Sequence, residues 1–515
     1  MAAFRYRTTS LILSAALTAS LCACSSGGAE SISTNPHASE TPATEPPATS
    51  TETTTETTSV DFITEPSTTT SLADTDFVRI VEGVDPQMMN ADYWISEEDN
   101  EILMDADQIA AFNYANRVHQ KTGDGVQMPY FDEFEDTLDG DILRAFLNEN
   151  AGMAPDDPSE YYLNGSKTTK DYWDKLIELS NIDGVGDKVE VRFGYSVKRM
   201  TLRLFPTEDR VIKDNSNLLF DYMLYAECMP YMPLIVLHES LDGEYLYVSF
   251  DSYAAWVRKD AVALCKDREE WTARQNPANW LTVTAREIRL GDDPYAESLR
   301  DLVLPMGTRM ELIPVFEAPS VINKRATYGD YIVKVPTRGS DGYIKDEYTL
   351  IPISDNVTIG YLPLTPANIV RQAFKLLGDR YGWGGDLRAN DCTGITREIY
   401  RCFGVLLPRV GQSDSKGIYK VDMSDMSKDE KLAVIKDLAP GSLISFPGHM
   451  TIYLGTVDGI PYVISATGTY VAPAPGSTDA IHPYTVIVSS LYVRTTSLKT
   501  WLDVSKTALT LKPEE

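Results

Sequence analysis

The sequence predicts a multidomain protein in which a C-terminal α+β unit follows two small β-barrels and a mainly helical region. Three observations indicate this fold class. The chain has 515 residues, and at roughly 150 residues per domain that length suggests three or four compact units. Two successive stretches show short alternating strands between turn signals. The last stretch begins with amphipathic helices and continues as strands.

The N-terminal end predicts export and lipidation. Arg5 and Arg7 precede an apolar stretch over residues 11–21, and small residues follow, which is the order of a secretory signal peptide. The residues up to Cys24 resemble a bacterial lipobox, so we expect residues 1–23 to be removed and Cys24 to carry the lipid. Lipid chains hold a protein at a membrane. We therefore predict an extracytoplasmic, membrane-anchored lipoprotein of the cell envelope.

Residues 24–75 predict a disordered tether after the lipidated cysteine. Ser, Thr, Pro and Glu dominate this segment, which lacks the apolar side chains needed to form a core. From residue 76 the composition is that of a folded protein. Residues 76–190 form the mainly helical region, and within it residues 109–120 have apolar side chains at helical spacing, with Asp105 placed to cap the helix.

The remaining chain divides into two β-rich units and the α+β unit. We assign residues 191–275 to the first barrel, 276–363 to the second and 364–515 to the C-terminal unit. The strands that we predict for the first barrel span residues 190–197, 200–206, 233–240, 244–250 and 254–264. The spacing of the strand segments in the second barrel is similar, although the two stretches are not close copies in sequence.

Composition excludes two classes of function. The chain carries 75 Asp and Glu against 46 Lys and Arg, a formal net charge of -29. Such an acidic surface repels phosphate backbones, which disfavours nucleic-acid binding. The five histidines are scattered and the chain has no Cys-x-x-Cys pair, so we expect no metal centre and no cofactor.

One cysteine stands where a nucleophile would be expected. Cys392 follows a Gly-rich segment and opens an amphipathic helix, with Asp391 as a suitable N-cap. The positive end of a helix dipole lowers the pKa of a thiol in the first turn. Downstream, His449 begins a strand, and an imidazole can deprotonate a thiol and later protonate a leaving amine. Spacing alone fits a strand histidine without any catalytic role equally well.

The surrounding motifs give the stronger signal. YGWGGD at 381–386, NDCTG at 390–394 and PGSLISFPGHMTIYLG at 440–455, together with an intervening Leu-Pro-Arg, resemble the NlpC/P60 family of cysteine peptidases, which usually has DCSG. The upstream sequence resembles multidomain members with an N-terminal stabilising region and two bacterial SH3-like barrels. The resemblance implies a papain-like α+β catalytic domain. It also implies hydrolysis of the γ-D-glutamyl–diamino acid bond of peptidoglycan stem peptides, with Cys392 as nucleophile and His449 as base.

The chain departs from this family at the third catalytic position. The family has a polar residue there, usually histidine, on the strand after the base, and counting along this sequence places Ser465 at that position. Serine can accept a hydrogen bond from imidazole but supplies no charge. His482, in the loop before the last of the strands predicted for this unit, is the alternative orienting residue, although a simple exposed loop histidine fits its position better.

The resemblance also implies residues that contact substrate. Tyr381 and the backbone of Cys392 are candidates for an oxyanion pocket, while Asp391 and Thr393 flank the nucleophile and would face the substrate. In related architectures the first barrel closes one end of the cleft and selects a free N-terminal L-alanine, and Tyr253 is our candidate for that contact. The alternative for Tyr381 is that it only packs the loop, and for Tyr253 a packing role in its turn fits better than the substrate contact.

Several alternatives remain open at this point. Cys228 and Cys265 are consistent with a disulfide or with two buried thiols, whereas Cys402 is predicted to lie in the core. The leading function is a cysteine endopeptidase acting as a monomer on stem peptides or muropeptides. The others are a catalytically weakened muropeptide-binding lipoprotein and a cysteine amidase or acyltransferase. The sequence does not specify which diamino acid is accepted or whether the protein cuts intact cell wall or only released fragments. It does not specify the type of cell envelope either.

Overall fold

The computed structural model describes residues 77–409 and 411–514. The predicted signal peptide, the lipidation site at Cys24 and the tether lie outside the described residues, so these remain predictions. Within the described part of the chain, no helix is both long enough and apolar enough to cross a bilayer.

The N-terminal region contains helices joined by irregular segments and short strands. Its elements are α1 (Ala106–Ala115), β1 (Thr137–Asp139), α2 (Gly140–Ala151), β2 (Tyr162–Leu163), β3 (Ser166–Lys167), α3 (Lys170–Leu179) and β4 (Lys188–Glu190). Helix α1 begins with a capping box between Asp105 and Gln108, which confirms the predicted cap. It ends at Ala115 rather than at residue 120, since the chain turns there toward the first barrel, where Gln120 donates a hydrogen bond to Ser249 Oγ at 2.9 Å.

The first barrel is built around a seven-stranded sheet with the order β12-β5-β9-β10-β11-β6-β8. The elements of this unit are β5 (Arg192–Ser196), β6 (Met200–Arg203), β7 (Val211–Ile212), β8 (Leu224–Cys228), β9 (Pro233–Glu239), β10 (Tyr245–Phe250), β11 (Tyr253–Arg258), β12 (Val262–Leu264) and α4 (Arg268–Gln275). Cys228 and Cys265 are both free thiols and belong to different core clusters. The disulfide alternative is therefore wrong.

The second barrel has a five-stranded sheet with the order β20-β19-β16-β13-β21. Its strands are β13 (Trp280–Val283), β14 (Glu287–Arg289), β15 (Val303–Pro305), β16 (Arg309–Leu312), β17 (Val321–Ile322), β18 (Arg325–Ala326), β19 (Asp330–Arg338), β20 (Ile344–Pro352) and β21 (Val357–Ile359). Its long β19–β20 hairpin pairs over nine positions, and the apolar side chains between the strands form a core of their own.

The C-terminal unit combines helices with a six-stranded sheet of order β22-β29-β23-β24-β25-β28. Its elements are α5 (Pro366–Lys375), α6 (Cys392–Arg401), β22 (Tyr419–Asp422), α7 (Lys428–Lys436), β23 (Leu443–Phe446), β24 (His449–Val457), β25 (Ile460–Thr467), β26 (Tyr470–Val471), β27 (Ala480–Ile481), β28 (Thr485–Ser490), α8 (Trp501–Val504) and β29 (Thr507–Thr510). Cys402, just past α6, is fully buried, as predicted. Helix α6 packs on β24 and β25, so the start of the helix lies over the start of β24.

The segment before α1 packs against the C-terminal unit. Trp94 belongs to the core cluster that α6 and the sheet form, and a side chain at Gly455 would meet the Trp94 ring at 3.2 Å. Tyr462 donates a hydrogen bond to the Gly83 carbonyl at 2.8 Å. The N-terminal region therefore completes the hydrophobic core beneath the catalytic sheet.

Candidate active site

The loop before α6 is held in place by the helix cap. The Asp391 carboxylate accepts one hydrogen bond from the Gly394 amide at 2.8 Å and another from the Gly384 amide at 2.9 Å, which confirms Asp391 as the N-cap. Gly384 and Gly385 have φ angles of 68° and 95°, and a Cβ at Gly385 would lie 2.8 Å from Glu227 of the first barrel. Glycine is required here because the loop lies directly against β8.

The Cys392 thiol is protected from solvent, with a side chain only 8% exposed. This burial raises the pKa of Cys392 to about 12, and the nearby Asp391 carboxylate raises it further, whereas the amides of Met450 and Thr393 and the charge of Arg409 oppose the shift. The lowering effect expected of the helix terminus is therefore outweighed in the resting site, and the net pKa is raised rather than lowered. Desolvation of the thiolate outweighs the helix dipole.

His449 begins β24, the strand whose start approaches the thiol. The amide of the next residue, Met450, is directed at the Cys392 sulfur. His449 Nε2 lies 3.1 Å from Ser465 Oγ, and burial lowers the pKa of the imidazole to about 4. The ring also packs against Trp501, with centroids 5.0 Å apart. The resting site thus pairs a neutral thiol with a neutral imidazole.

His482 makes its own contacts away from the base. Its Nδ1 lies 2.9 Å from Thr469 Oγ1, and its exposed ring stacks on Tyr484 with a centroid distance of 5.8 Å. Of the two candidate orienting residues, the structure brings Ser465 to His449.

Tyr381 lies near the thiol, on the side of the Gly-rich loop. Burial raises the pKa of its phenol well above the usual value, and the charges of Asp391 and Cys392 raise it further. The backbone of Tyr381 is fixed by a 2.7 Å hydrogen bond from its amide to the Tyr484 carbonyl. A phenol close to the nucleophile could donate to an oxyanion, so the predicted role of Tyr381 is compatible with its position and remains a prediction.

The other predicted substrate residues surround a single guanidinium. Arg409 forms charge-assisted hydrogen bonds to the Asp391 carboxylate and the Thr393 hydroxyl. Tyr253 enters from the first barrel. Burial raises the pKa of its hydroxyl, the nearby Arg409 charge lowers it, and the Asp391 charge raises it. Its ring stacks on Tyr225 at 5.6 Å. The structure therefore gathers Asp391, Thr393 and Tyr253 at one place.

Sequence reasoning missed Arg409 as a site residue. A buried N-cap aspartate needs a cation nearby, because an unpaired buried carboxylate is costly. That requirement could have pointed to the arginine of the Leu-Pro-Arg motif. Asp391 is only 5% exposed and its oxygens are occupied by Arg409 and backbone amides. A direct contact of this carboxylate with substrate stays a prediction.

Comparison with known proteins agrees with this arrangement. Residues 378–489 match the model of the NlpC/P60 family, and residues 210–258 match that of an SH3 domain of the SH3b1 type. The chain therefore carries an NlpC/P60 domain. Both matches fall where the structure has the α+β unit and the first barrel, and together they confirm the predicted fold class.

Solved structures extend the likeness beyond these two domains. A novel NlpC/P60 endopeptidase from Photobacterium damselae subsp. piscicida aligns over 82% of this chain and 98% of its own, with 16% identity and a TM-score of 0.64. This shows a shared fold. NlpC2 and NlpC1 from Trichomonas vaginalis match at 16% and 15% identity over 59% of this chain and 97% and 93% of theirs, but their TM-scores of 0.19 carry no structural argument. None of the curated proteins compared with the chain matches it.

The NlpC/P60 domain is tied to the first barrel by ion pairs next to the site. Arg210 holds the Asp386 carboxylate with two hydrogen bonds of 2.9 and 2.6 Å. Arg397 of α6 pairs with Asp251 in the β10–β11 turn, and the Arg397 and Asp251 side chains are 9% and 26% exposed. The SH3b domain is therefore part of the wall of the site, and its sequence pattern alone did not reveal these contacts.

Among the residues that the structure describes, no group of three or more His, Cys, Asp or Glu side chains is arranged to hold a metal ion. The polar groups that meet at the site are a thiol, an imidazole, hydroxyls and backbone amides, together with the paired charges of Asp391 and Arg409. These groups suit nucleophilic catalysis at a carbonyl carbon.

Proposed function

We propose that this protein is a cell-wall cysteine endopeptidase that hydrolyses the γ-D-glutamyl–diamino acid bond of peptidoglycan stem peptides or muropeptide fragments. The observation that supports it is that, within the NlpC/P60 domain, Cys392 at a helix N-terminus meets the start of β24, where the Met450 amide is directed at the sulfur and the neighbouring His449 is hydrogen-bonded to Ser465. NlpC/P60 domains are in general cysteine peptidases of the cell wall, and the identity of the bond is our inference.

The reaction follows from these groups. The Cys392 S–H proton passes to His449 Nδ1, and the thiolate attacks the γ-carbonyl carbon, which moves an electron pair onto the carbonyl oxygen. In this proposal the Cys392 amide and the Tyr381 hydroxyl stabilise that oxyanion. Collapse breaks the C–N bond while the imidazolium protonates the leaving amine. Water, deprotonated by His449, then hydrolyses the thioester and restores the thiol.

The resting pKa values define what substrate binding must achieve. With the pKa of Cys392 raised to about 12 and that of His449 lowered to about 4, the neutral pair predominates in the empty site. Thiolate and imidazolium form together only when proton transfer is coupled to attack, or when a bound substrate changes the solvation of the pair. We expect slow reaction with small alkylating agents and faster reaction with a peptide that fills the cleft.

The first barrel supplies the specificity in this proposal. Tyr253, beside Arg409 and Asp391, would contact the free amino group of an N-terminal L-alanine, so that a substrate acylated at this position is rejected. Lipidation at Cys24 and the tether would hold the enzyme at the outer side of a membrane. The protein would thus act on stem peptides close to its anchor.

The direct test is cleavage of the tripeptide L-Ala-γ-D-Glu-diaminopimelate. We expect release of L-Ala-D-Glu by the wild type, no release by Cys392→Ala, and much slower cleavage of the N-acetylated tripeptide. Cys402→Ala is the matched control, since that thiol is buried just beyond α6 and is predicted to leave turnover intact. Equal absence of product from wild type and Cys392→Ala would refute the proposal, and product masses would reveal an amidase or acyltransferase instead.

A muropeptide-binding protein with weakened catalysis is the second candidate. The observation that favours it is the uncharged orienting residue Ser465 together with the neutral resting pair. Retained muropeptide binding without release of L-Ala-D-Glu by the wild type would support this candidate over the endopeptidase.

A further inference from the structure

A chain of hydroxyl groups continues behind the base. His449 Nε2 lies 3.1 Å from Ser465 Oγ, which lies 2.9 Å from Thr467 Oγ1. The Thr467 hydroxyl in turn donates to the Ser465 carbonyl oxygen at 3.3 Å. Ser465 is 0% and Thr467 1% exposed, so solvent does not provide alternative partners. Both residues lie in β25, which pairs with β24 on one side and β28 on the other.

Each hydroxyl has one proton to donate, which limits the possible directions of this chain. The 2.9 Å contact between the two hydroxyls allows either of them to be the donor. In the arrangement in which Thr467 donates to the Ser465 carbonyl, the donor in that contact is Ser465. The Ser465 oxygen can then only accept from His449, which requires the proton of the neutral imidazole to be on Nε2. The lone pair is left on Nδ1, the nitrogen that must receive the Cys392 proton.

We propose that Thr467 is a positioning residue that sets the tautomer of His449 by keeping the Ser465 hydroxyl oriented as an acceptor. The inference rests on the proposed function, because the tautomer matters only if His449 is the base. In many catalytic triads a charged or amide group defines the tautomer. Here two neutral hydroxyls would define the tautomer together. The uncharged Ser465 would then take the role of the histidine that the family usually has at the third catalytic position.

Other groups around His449 do not supply the same orientation. The charge of Asp391, the N-cap of α6, acts on the imidazole at a distance while that carboxylate is paired with Arg409. The rings of Phe446 and Trp501 pack against it from β23 and α8 and do not titrate. The hydrogen bond to Ser465 is thus the contact that distinguishes the two ring nitrogens.

The first test measures alkylation of Cys392 by iodoacetamide against pH in the full chain. Thr467→Val keeps the side-chain shape and removes the hydroxyl, which frees Ser465 to donate to Nε2 and favours the wrong tautomer. We expect its alkylation at neutral pH to be at least about tenfold slower, with the profile displaced to higher pH. Thr467→Ser keeps the hydroxyl and should overlay the wild type.

A double variant separates positioning from packing. Ser465→Ala removes the misplaced donor, so Ser465→Ala combined with Thr467→Val should react faster than Thr467→Val alone, and at the rate of Ser465→Ala. A purely structural role would make the double variant the slowest. Equal rates for Thr467→Val and the wild type, or a double variant slower than Thr467→Val, would overturn the inference. Thermal unfolding of each variant shows whether it is folded.

The second test does not need activity. In protein labelled with ¹⁵N-histidine, the His449 signals, assigned with His449→Gln, should report a proton on Nε2 in the wild type and in Thr467→Ser. Thr467→Val should move the proton to Nδ1. A wild type with the proton on Nδ1 would overturn the inference even if the tripeptide is cleaved. A wild type with the Nε2 proton and no cleavage would instead count against the proposed function.

Discussion

The two barrels follow one another in the chain with similar strand spacing, yet they meet the NlpC/P60 domain in different ways. The first barrel lies against the catalytic loop and helix. Its β10–β11 turn pairs Asp251 with Arg397, Ser252 accepts a hydrogen bond from the Arg409 amide at 3.4 Å, and Tyr253 stands beside the Arg409 guanidinium. This turn is therefore built into the site.

The second barrel contacts the same domain at the far ends of its helices. Lys375, at the end of α5, donates to the Thr284 carbonyl at 2.9 Å, and the Cys402 thiol approaches the Val283 carbonyl at 3.6 Å. Arg286 forms a 2.8 Å ion pair with Asp379 that is half exposed on the arginine side. A shared fold type therefore does not determine a shared role. The first barrel differs from the second because its β10–β11 turn lies beside Arg397 and Arg409.

The largest effect should come from breaking the buried pair of the first barrel. Asp251→Asn keeps a residue that tolerates the positive φ of 49° but leaves the Arg397 charge uncompensated at the interface. We expect a loss of about 3 kcal/mol in the free energy of unfolding, measured by urea denaturation, and a parallel loss of turnover. Unchanged stability would mean that the first barrel is docked no more firmly than the second.

The next effect concerns selectivity for the substrate terminus. Tyr253→Phe removes a hydroxyl beside Arg409 and should lower the ratio of kcat/KM for the free over the N-acetylated tripeptide by about tenfold, the value of a hydrogen bond to a charged group. Tyr343→Phe, a 43% exposed tyrosine of the second barrel, is the control and should leave the ratio unchanged. An unaltered ratio in Tyr253→Phe would show that the Tyr253 hydroxyl of the first barrel does not contribute to substrate selection.

The smallest effect should come from the second barrel. Arg286→Ala breaks its ion pair with Asp379, and because the arginine side chain is 56% exposed we expect a loss of less than about 1 kcal/mol and no change in turnover. Urea denaturation and the tripeptide assay measure both. A loss as large as that of Asp251→Asn would contradict the contrast between the two interfaces.

Local pattern predicted the elements on which the site is built. The Asp391 cap, the start of α6 at Cys392 and the strand that His449 opens all follow from short-range rules of capping and alternation. The same rules missed β8, because only five residues alternate there after an irregular segment. Local sequence therefore predicted the elements that carry Cys392 and His449.

The energetics of the site depend on contacts that short-range patterns do not contain. The pKa of Cys392 rises because burial in the folded protein desolvates the thiolate, while the helix terminus seen in the sequence acts in the opposite direction. Arg409 acquires its partners only when the chain after α6 returns to the helix start. Counting residues along the strand predicts Ser465 as the partner of His449. The contact of the Ser465 hydroxyl with Thr467 becomes visible only from the positions of the two hydroxyl groups in the structure.

The packing of the segment before α1 under the catalytic sheet has a consequence for how the protein is made. Trp94 and Gly455, and likewise Gly83 and Tyr462, are far apart in sequence, so the core that carries the nucleophile cannot close until nearly all of the chain has emerged. Contacts of such long range slow folding, and incompletely folded chains expose apolar surface. The enzymatic unit is thus among the last parts to mature, and an isolated C-terminal fragment would leave part of its core bare.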